Sequence, residues 1–513
     1  MPAQIPAKVD YIKPLESKPY REVVKERKDV KERLKKSLGE IVGAENVRDD
    51  EELLKKYSCD RSFETPAKPT CVVFPRTTEE VCRLVKLANE ELLPIIPVSS
   101  GNHSYGCAIP RMGGIVVDLS GWKKILKIDH RNRAVRIEPG VTFDELQHAL
   151  KKEGLRALLP LLPRKDQSVL TAHFEAHPMI IPEFNYSEPI YTAEIVMPNG
   201  EIFRTGSASS GPPEAINTDM VGPWGPGFDW NRLYTRSQGT LGIVTWANIM
   251  AEPLPTKQKI YFTPGHTIAD LITFTYNVQR RWLGYECFIL NKVNMAIMLA
   301  EKMPDDYTAL KQKLPEFIQV FCIAGLKRFP DERIAYQEAD FYAAAQEVGV
   351  QPQRSFSTVP QAAAFFASYL DRCWDKEVYW KEFYKGASAD IFFITTMDRA
   401  AQCLKEMQQV AVNHDYPVTD LGVYLQPIEN GRAAHLEFNI FYNPADAREC
   451  SRIKKLHAAA SERMYALGAV FTRAYGRWAE MVNSRNAVQY QTAKMIKEIL
   501  DPNNIMNPGK LGF

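Results

Sequence analysis

Short apolar runs bounded by turn residues set the rhythm of the chain from Lys68 onward. TCVVFPRT reads as a strand, TEEVCRLVKLANEEL as an amphipathic helix with an acidic first turn, and LLPIIPVSS as a second strand, which together predict a βαβ unit. Three more short strands follow in GGIVVDLS, KKILKID and AVRIEPG, and Thr142 opens the helix TFDELQHALKKEGL as its N-cap. In PIYTAEIVMPNGEIFRTG the Asn199-Gly200 dipeptide predicts an antiparallel hairpin with a two-residue turn, because both residues tolerate positive φ. The strand in GTLGIVTWANIMAEPLP runs into a proline-rich exit, which predicts a domain boundary near residue 255. Beyond it DIFFITTM reads as a strand, and DRAAQCLKEMQQVAVNH and ECSRIKKLHAAASERMYALG as helices, so a second α+β domain is expected, with no internal repeat visible. Upstream, a Lys, Glu and Pro-rich start gives way to LKKSLGEIV and DEELLKKY, two short amphipathic helices of an N-terminal arm.

At 513 residues, 45% hydrophobic and 25% charged, the chain exceeds one ordinary core and predicts two or three packed domains. Its 64 basic and 62 acidic side chains nearly cancel, which leaves no net field to hold nucleic acid or an anionic membrane. Nine cysteines without a CxxC pair suggest neither a disulfide framework nor a thiolate zinc site, and fit a reducing cytoplasm. The opening residues lack the apolar core of a secretory signal, and no stretch reaches ~18 uncharged apolar residues. The expectation is a cytoplasmic protein with no membrane span.

Between LLPIIPVSS and GGIVVDLS lies a loop of small and hydroxyl residues, Ser99 to Ala108. Such a loop can turn several backbone N–H groups toward one anion, with hydroxyls as further donors, and a dinucleotide pyrophosphate would suit it. It is neither GxGxxG nor GxxxxGK[ST], so no Rossmann or P-loop fold follows. On composition alone, a plain surface connection stays open.

The order PVSSGNHSYGCAIP, VVDLSGWKKILKID and IEPGVTFDEL resembles the FAD-binding domain of the vanillyl-alcohol-oxidase and p-cresol-methylhydroxylase (PCMH-type) flavoproteins. SVLTAHFEAH followed by AEIVMPNGEIFRTG, then RLYTRSQGTLGIVT and the terminal ILDPNNIMNPGKLGF, agree with it in order. The resemblance implies an α+β architecture: an N-terminal arm and helices over residues 1–60 and a two-subdomain PCMH-type FAD-binding domain over 61–254. A substrate or cap domain over 255–460 and a C-terminal segment over 461–513 returning to the FAD domain complete it. It implies FAD as cofactor, its pyrophosphate held by Ser99, Ser100, Gly101, Asn102, His103, Ser104 and Tyr105. Ser168 and Val169 would lie near the pyrophosphate or isoalloxazine, Gly242, Ile243 and Val244 would give backbone bonds to the nucleotide, and Asn507 to Lys510 would close over the cofactor. A helix stop at Pro508-Gly509 explains that last segment equally without a ligand.

His103 in GNHSYG is similar to the histidine that carries a covalent flavin in some relatives, so either His103 is the link or FAD is held non-covalently. Asp390 stands where another branch places its tether, and Cys107 reads as a buried small residue. In phenol-oxidising relatives two tyrosines and an arginine bind the phenolate, and a neighbouring guanidinium lowers a phenol's pKa. Tyr105, Tyr475 and Arg477 match those positions, with Arg473 a rival to Arg477 because a glycine separates Tyr475 from Arg477. The relatives' acid near the flavin falls on Asn185, an amide that cannot act as a base, which leaves Tyr186, Glu183 or Glu188 for proton transfer. His435 matches a histidine on the relatives' substrate-domain sheet, and satisfied structural histidines are the commoner case. The His173/His177 pair has helical i, i+4 spacing, yet HFEAH misplaces the HExxH glutamate and no metal is expected.

The implied activity is oxidation of a para-substituted phenol or benzylic alcohol by hydride transfer to flavin N5. A 2-hydroxy-acid or other alcohol dehydrogenase, and a non-catalytic homologue without flavin, are the alternatives. The acceptor stays open among oxygen, a cytochrome and other redox proteins, and a homodimer is expected from the habit of the relatives.

Overall fold

The computed structural model describes residues 28–101, 104–183, 188–210 and 218–513, which build three sheets. The first holds β1 (Val47–Arg48), β2 (Cys71–Val73), β3 (Ile95–Val98) and β4 (Ile115–Asp118) in the order β1-β2-β4-β3. Alternate residues serve its two faces, as the period-2 pleat requires: Cys71, Val73, Ile95 and Ile115 pack in one apolar cluster, and Val72, Ile96, Val98 and Val116 in another. The two helices assigned from sequence to an arm, Lys28–Val42 and Glu51–Ser58, lie against these faces through Leu34, Leu38 and Val42 and through Leu54 and Tyr57. The expected βαβ unit is split. Its helix Thr78–Glu90 forms with Thr77 as N-cap, but β4 inserts between β2 and β3 and pairs parallel with both.

The second sheet takes β5 (Ile125–Asp129), β6 (Ala134–Ile137), β8 (Ile190–Val196), β9 (Ile202–Arg204) and the long β10 (Ile243–Pro253) in the order β5-β6-β10-β8-β9, with β7 (Leu155–Ala157) paired to β10. Thr142 caps the helix Phe143–Lys152 in a full capping box with Glu145. The β8–β9 hairpin is antiparallel, but its loop has three residues rather than two. Gly200 N–H and Met197 N–H bond to Met197 O and Glu201 O, both at 2.8 Å, and only Gly200 has positive φ, at 79°. Pro198 is the cause: its fixed φ suits a type I turn, which then needs one left-handed residue to rejoin the strands.

The third sheet is antiparallel, with β11 (Lys257–Gly265), β12 (Cys287–Asn291), β13 (Phe317–Gly325), β14 (Ala387–Thr395), β15 (Leu421–Ile428) and β16 (Ala433–Tyr442) in the order β11-β13-β12-β15-β16-β14. A duplication that the sequence pattern does not display is plain in this order. In each half an outer strand is followed by a helix (Ala269–Arg280 or Ala400–Asn413), then two strands, then a long helix (Pro330–Val348 or Ala447–Ala466). The halves meet through β12 and β15. The chain finally returns to the first sheet, where Ile95 N–H donates to Ile505 O at 2.7 Å and Asn507 N–H to Ile95 O at 2.8 Å. Among the described residues, no helix is long and apolar enough to cross a membrane.

Candidate active site

All three sheets line one cavity of about 350 Å³. The first contributes Val98 and the loop residues Ser99, Ser100, Ser104, Tyr105 and Cys107, the second Gly242, Ile243 and Val244 at the start of β10, and the third Ser388, Asp390, Tyr424 and Glu437. Between them stand Leu170 and Thr171 of the helix Val169–Phe174, then Glu175, His177, Arg473, Tyr475 and Asn507.

Several features fit a dinucleotide cofactor at the loop end. The backbone N–H groups of Ser99, Gly101, Ser104 and Tyr105 donate to no protein atom among the described residues, and unpaired amides are what an anion cradle requires. Ser99 Oγ and Thr171 Oγ1 share a hydrogen bond that ties the loop to the helix. Asn507 Nδ2 donates to Cys107 O at 3.1 Å and Gln238 O at 2.7 Å, which fixes the amide and leaves its buried Oδ1 at the cavity wall without a partner among the described residues. Gly239 has φ +69°, and a Cβ there would meet Pro97 Cγ at 2.6 Å, so the approach of these two cavity walls requires glycine.

Other residues implicated from sequence hold the frame. Ser168 is buried, accepts from Thr171 N–H at 3.1 Å and donates to Pro139 O at 2.6 Å, while Val169 sits in an apolar cluster. Lys510 does not line the cavity; its ammonium donates to Gly106 O and Ile109 O behind the loop, and burial lowers its pKa to about 8. Asn102, His103, Asn185 and Tyr186 lie outside the described residues. The helix carrying His173 ends at Phe174, and Ala176 takes φ +49°, so His173 and His177 do not share a helical face. His173 bonds Leu158 O, and His177 faces the cavity.

The cap end of the cavity is aromatic and charged. The rings of Tyr105 and Tyr475 stack with centroids 4.9 Å apart at 6°, and Phe392 meets Tyr105 edge-on at 5.1 Å. Arg473 lies 3.8 Å from the Phe392 ring centroid, and its guanidinium makes no hydrogen bond or ion pair among the described residues. Arg477 is elsewhere: its largely exposed side chain pairs with Glu462 at 3.1 Å in an outer chamber on the far side of the tyrosine pair. The rival Arg473 is thus the arginine that the fold brings to the tyrosines. The separating Gly476 has φ +45°, and the helix Arg477–Asn483 starts immediately after it. Burial drives both tyrosines well above the usual phenol range, against a downward pull from Arg473, so both are neutral phenols.

Two groups at this end carried no role in the sequence reading. Glu175 accepts a hydrogen bond from Tyr475 Oη at 2.8 Å, and burial raises its carboxyl pKa despite that bond and the nearby Arg473. Lys381 bridges Asp390 at 2.6 Å and Glu437, and Asn439 Nδ2 donates to the same two carboxylates at 2.7 Å each. His435 is buried, bonds Glu437 at 3.3 Å and does not line the cavity; burial lowers its pKa. The signal for Glu175 was the acid in HFEAH, which misses metal spacing because it serves a tyrosine 300 residues away.

Comparisons with known proteins agree with this geometry. Residues 69–206 match an FAD binding domain and residues 393–511 the C-terminal domain of FAD linked oxidases. The chain is 24% identical to the glycolate oxidase subunit of Bacillus subtilis (strain 168), over 94% of this chain and 97% of that protein. It is 23% identical to the D-lactate dehydrogenase of Anaerostipes hadrus, over 87% and 90% respectively. Its fold is similar to that of p-cresol methylhydroxylase with substrate bound, with a TM-score of 0.76 at 18% identity over 95% of this chain and 98% of that one. With both domain matches in place around a cavity that fits the dinucleotide, the chain belongs to the FAD linked oxidases, shares the fold of p-cresol methylhydroxylase, and is an FAD-dependent oxidoreductase.

Proposed function

We propose that this chain oxidises a para-substituted phenol or a benzylic alcohol held at the cap end of the cavity. The observation that carries the reading is the stacked Tyr105–Tyr475 pair beside the Arg473 guanidinium, which has no hydrogen-bond or ion-pair partner among the described residues. FAD, when bound, supplies the two-electron acceptor for the hydride that leaves the substrate carbon. The chain's own residues do the rest. Arg473 stabilises a developing phenolate, as any adjacent cation lowers a phenol's pKa. Tyr105 and Tyr475 are kept protonated by burial; Tyr105 offers its hydroxyl proton to the substrate oxygen and Tyr475, which donates to Glu175, its oxygen lone pairs, and together they fix the orientation. Tyr424, Trp380 and Leu161 wall the cavity with apolar surface against which an aromatic ring packs and from which water is excluded, and Phe392 backs Tyr105 edge-on.

Arg473 also favours a second reading. A guanidinium with no hydrogen-bond or ion-pair partner among the described residues can take a carboxylate bidentately, which suits a 2-hydroxy acid, and two of the relatives carry the names glycolate oxidase and D-lactate dehydrogenase. Anaerobic titration of the purified holoenzyme with 4-alkylphenols and, separately, with 2-hydroxy acids decides between them. Bleaching of the flavin colour by the phenols is expected; bleaching by hydroxy acids alone sinks the first reading. Readmitting oxygen or adding a cytochrome then identifies the acceptor by which restores the colour. A covalent flavin through His103 predicts colour that stays with the polypeptide after acid precipitation and is released in His103→Ala. The homodimer belongs to the same proposal, and light scattering at the mass of one chain removes it.

A further inference from the structure

We infer that Glu175 is the proton acceptor of the reaction and that Tyr475 relays the substrate's hydroxyl proton to it. The inference deepens the proposed function and rests on it for the place where substrate binds. Its basis is the direction of one hydrogen bond. Tyr475 Oη donates its only proton to Glu175 Oε2 at 2.8 Å, so the lone pairs of Tyr475 Oη remain to accept from whatever lies in the cavity. A substrate hydroxyl there is placed to give, not to receive, a proton.

The transfer balances. The substrate O–H proton passes to Tyr475 Oη as the O–H proton of Tyr475 passes to Glu175. Tyr475 is neutral before and after, Glu175 goes from carboxylate to acid, and the substrate becomes an alkoxide or phenolate beside Arg473. FAD, when bound, would take the carbon-bound hydrogen together with its two electrons, which closes the balance.

The surroundings of Glu175 suit the task. Its half-buried carboxylate lines the cavity and is ringed by Tyr475, Arg473, Arg236 and Cys107, the first three of which favour its charged form. Burial works against them and raises its pKa, which makes it a better base than an exposed carboxylate. Of the acids that the sequence offered in place of Asn185, Glu188 pairs with Arg232 and Arg236, and neither it nor Glu183 lines the cavity. Tyr105 has no such partner: it bonds no carboxylate among the described residues and stands as an orienting donor only.

The test uses the holoenzyme and the variants Glu175→Gln and Tyr475→Phe, each first shown to retain flavin. Both should lower kcat/KM at neutral pH by about 100-fold or more for whichever donor class bleaches the wild-type flavin, in line with the usual worth of a positioned base. Both should remove the acidic limb of the pH profile, and the double variant should be no slower than the slower single one, because the residues act as one relay. A second readout needs no turnover. A non-oxidisable 4-halophenol should show the ultraviolet difference spectrum of a phenolate on the wild type and of a neutral phenol on Glu175→Gln.

Wild-type rates, an unshifted profile and an undiminished phenolate signal in Glu175→Gln overturn the relay while leaving phenol oxidation standing. Bleaching of the wild type by 2-hydroxy acids alone overturns the substrate assignment, and the relay is then judged on the same variants by the hydroxy-acid rates. If neither class bleaches the flavin, both fall.

Discussion

The two halves of the third sheet share one geometry and differ in what they present to the cavity side. Pairing of Lys257 with Gly325 in the first half is matched by Ala387 with Tyr442 in the second, and Ile289 pairs with Leu425 where the halves meet. Under this register Ile260, Ile318, Val320 and Cys322 of the first half correspond to Asp390, His435, Glu437 and Asn439 of the second. All eight are buried. The first set joins an apolar cluster covered by the helices Lys292–Leu299 and Gln361–Tyr369, at whose margin the Cys322 thiol bonds Glu286. The second forms a closed polar network around Lys381, with Asp390 and Glu437 at the cavity. Burying charge is tolerable only when every group is paired, so a fold that could have repeated its apolar half and did not marks where its chemistry sits.

The comparison breaks most sharply if charge is placed in the apolar half. Val320→Glu puts a carboxylate where Glu437 stands in the other half but with no lysine to meet it, and should cost at least about 4 kcal/mol. Soluble yield and thermal melting measure this, and a variant melting near the wild type would show that the first half is not dry. Next in size is Lys381→Met, which strands two carboxylates and should cost about 3–5 kcal/mol. Adding Asp390→Ile and Glu437→Val to it removes the stranded charges and should recover part of the loss, the remainder being the Asn439 amide left without its two acceptors, with substrate-driven flavin bleaching abolished. No recovery at all in the triple variant would mean that the stranded carboxylates are not what Lys381 offsets.

A pH series sharpens the same contrast. Burial alone would raise the Glu437 carboxyl, but the Lys381 ammonium and His435 outweigh it and hold the group well below the usual carboxylate range. A depressed folded pKa gives stability that is present above the unfolded value of about 4.3 and is lost as pH falls through the folded value. The melting gap between the wild type and Glu437→Gln should therefore be constant near neutrality and shrink only below about pH 4. A gap that narrows already between about pH 7 and 5 would place the coupling elsewhere in the network.

How much of this was legible in the sequence follows from which interactions are local. The cap at Thr142 and the short apolar runs in CVV and IVVD are short-range and read directly. The three-residue hairpin was missed because Pro198, one position before the Asn-Gly pair, changed the turn that glycine completes. The duplicated cap escaped because its halves share pairing geometry but not residue chemistry: Val320 and Glu437 have no similarity for a pattern search to find. At the candidate site, the loop and the two tyrosines stand out in the sequence because motifs mark them. Glu175 and Lys381 do not, since each gains its role from a partner distant in sequence or on a neighbouring strand. Arg473 over Arg477 was decided by the backbone at Gly476, which starts a helix and turns Arg477 outward.

The smallest expected effect concerns the mildest difference between the halves. Phe288 and Tyr424 occupy matching positions, opposite Val320 and Glu437 respectively, and differ by one hydroxyl. That hydroxyl donates to Gln426 Oε1 at 2.8 Å, while Gln426 Nε2 is held independently by Met179 O at 3.1 Å and Pro427 O at 2.9 Å. Tyr424→Phe therefore removes one donor without freeing the amide, keeps the ring edge-on to His435, and should cost about 1 kcal/mol, the net worth of an ordinary hydrogen bond. Equilibrium denaturation of the two proteins side by side reads it. A loss above about 3 kcal/mol would mean that the polar half does not tolerate a single missing member. The halves would then differ in cooperativity, with every bond of the second propping up its neighbours, and not merely in which side chains they bury.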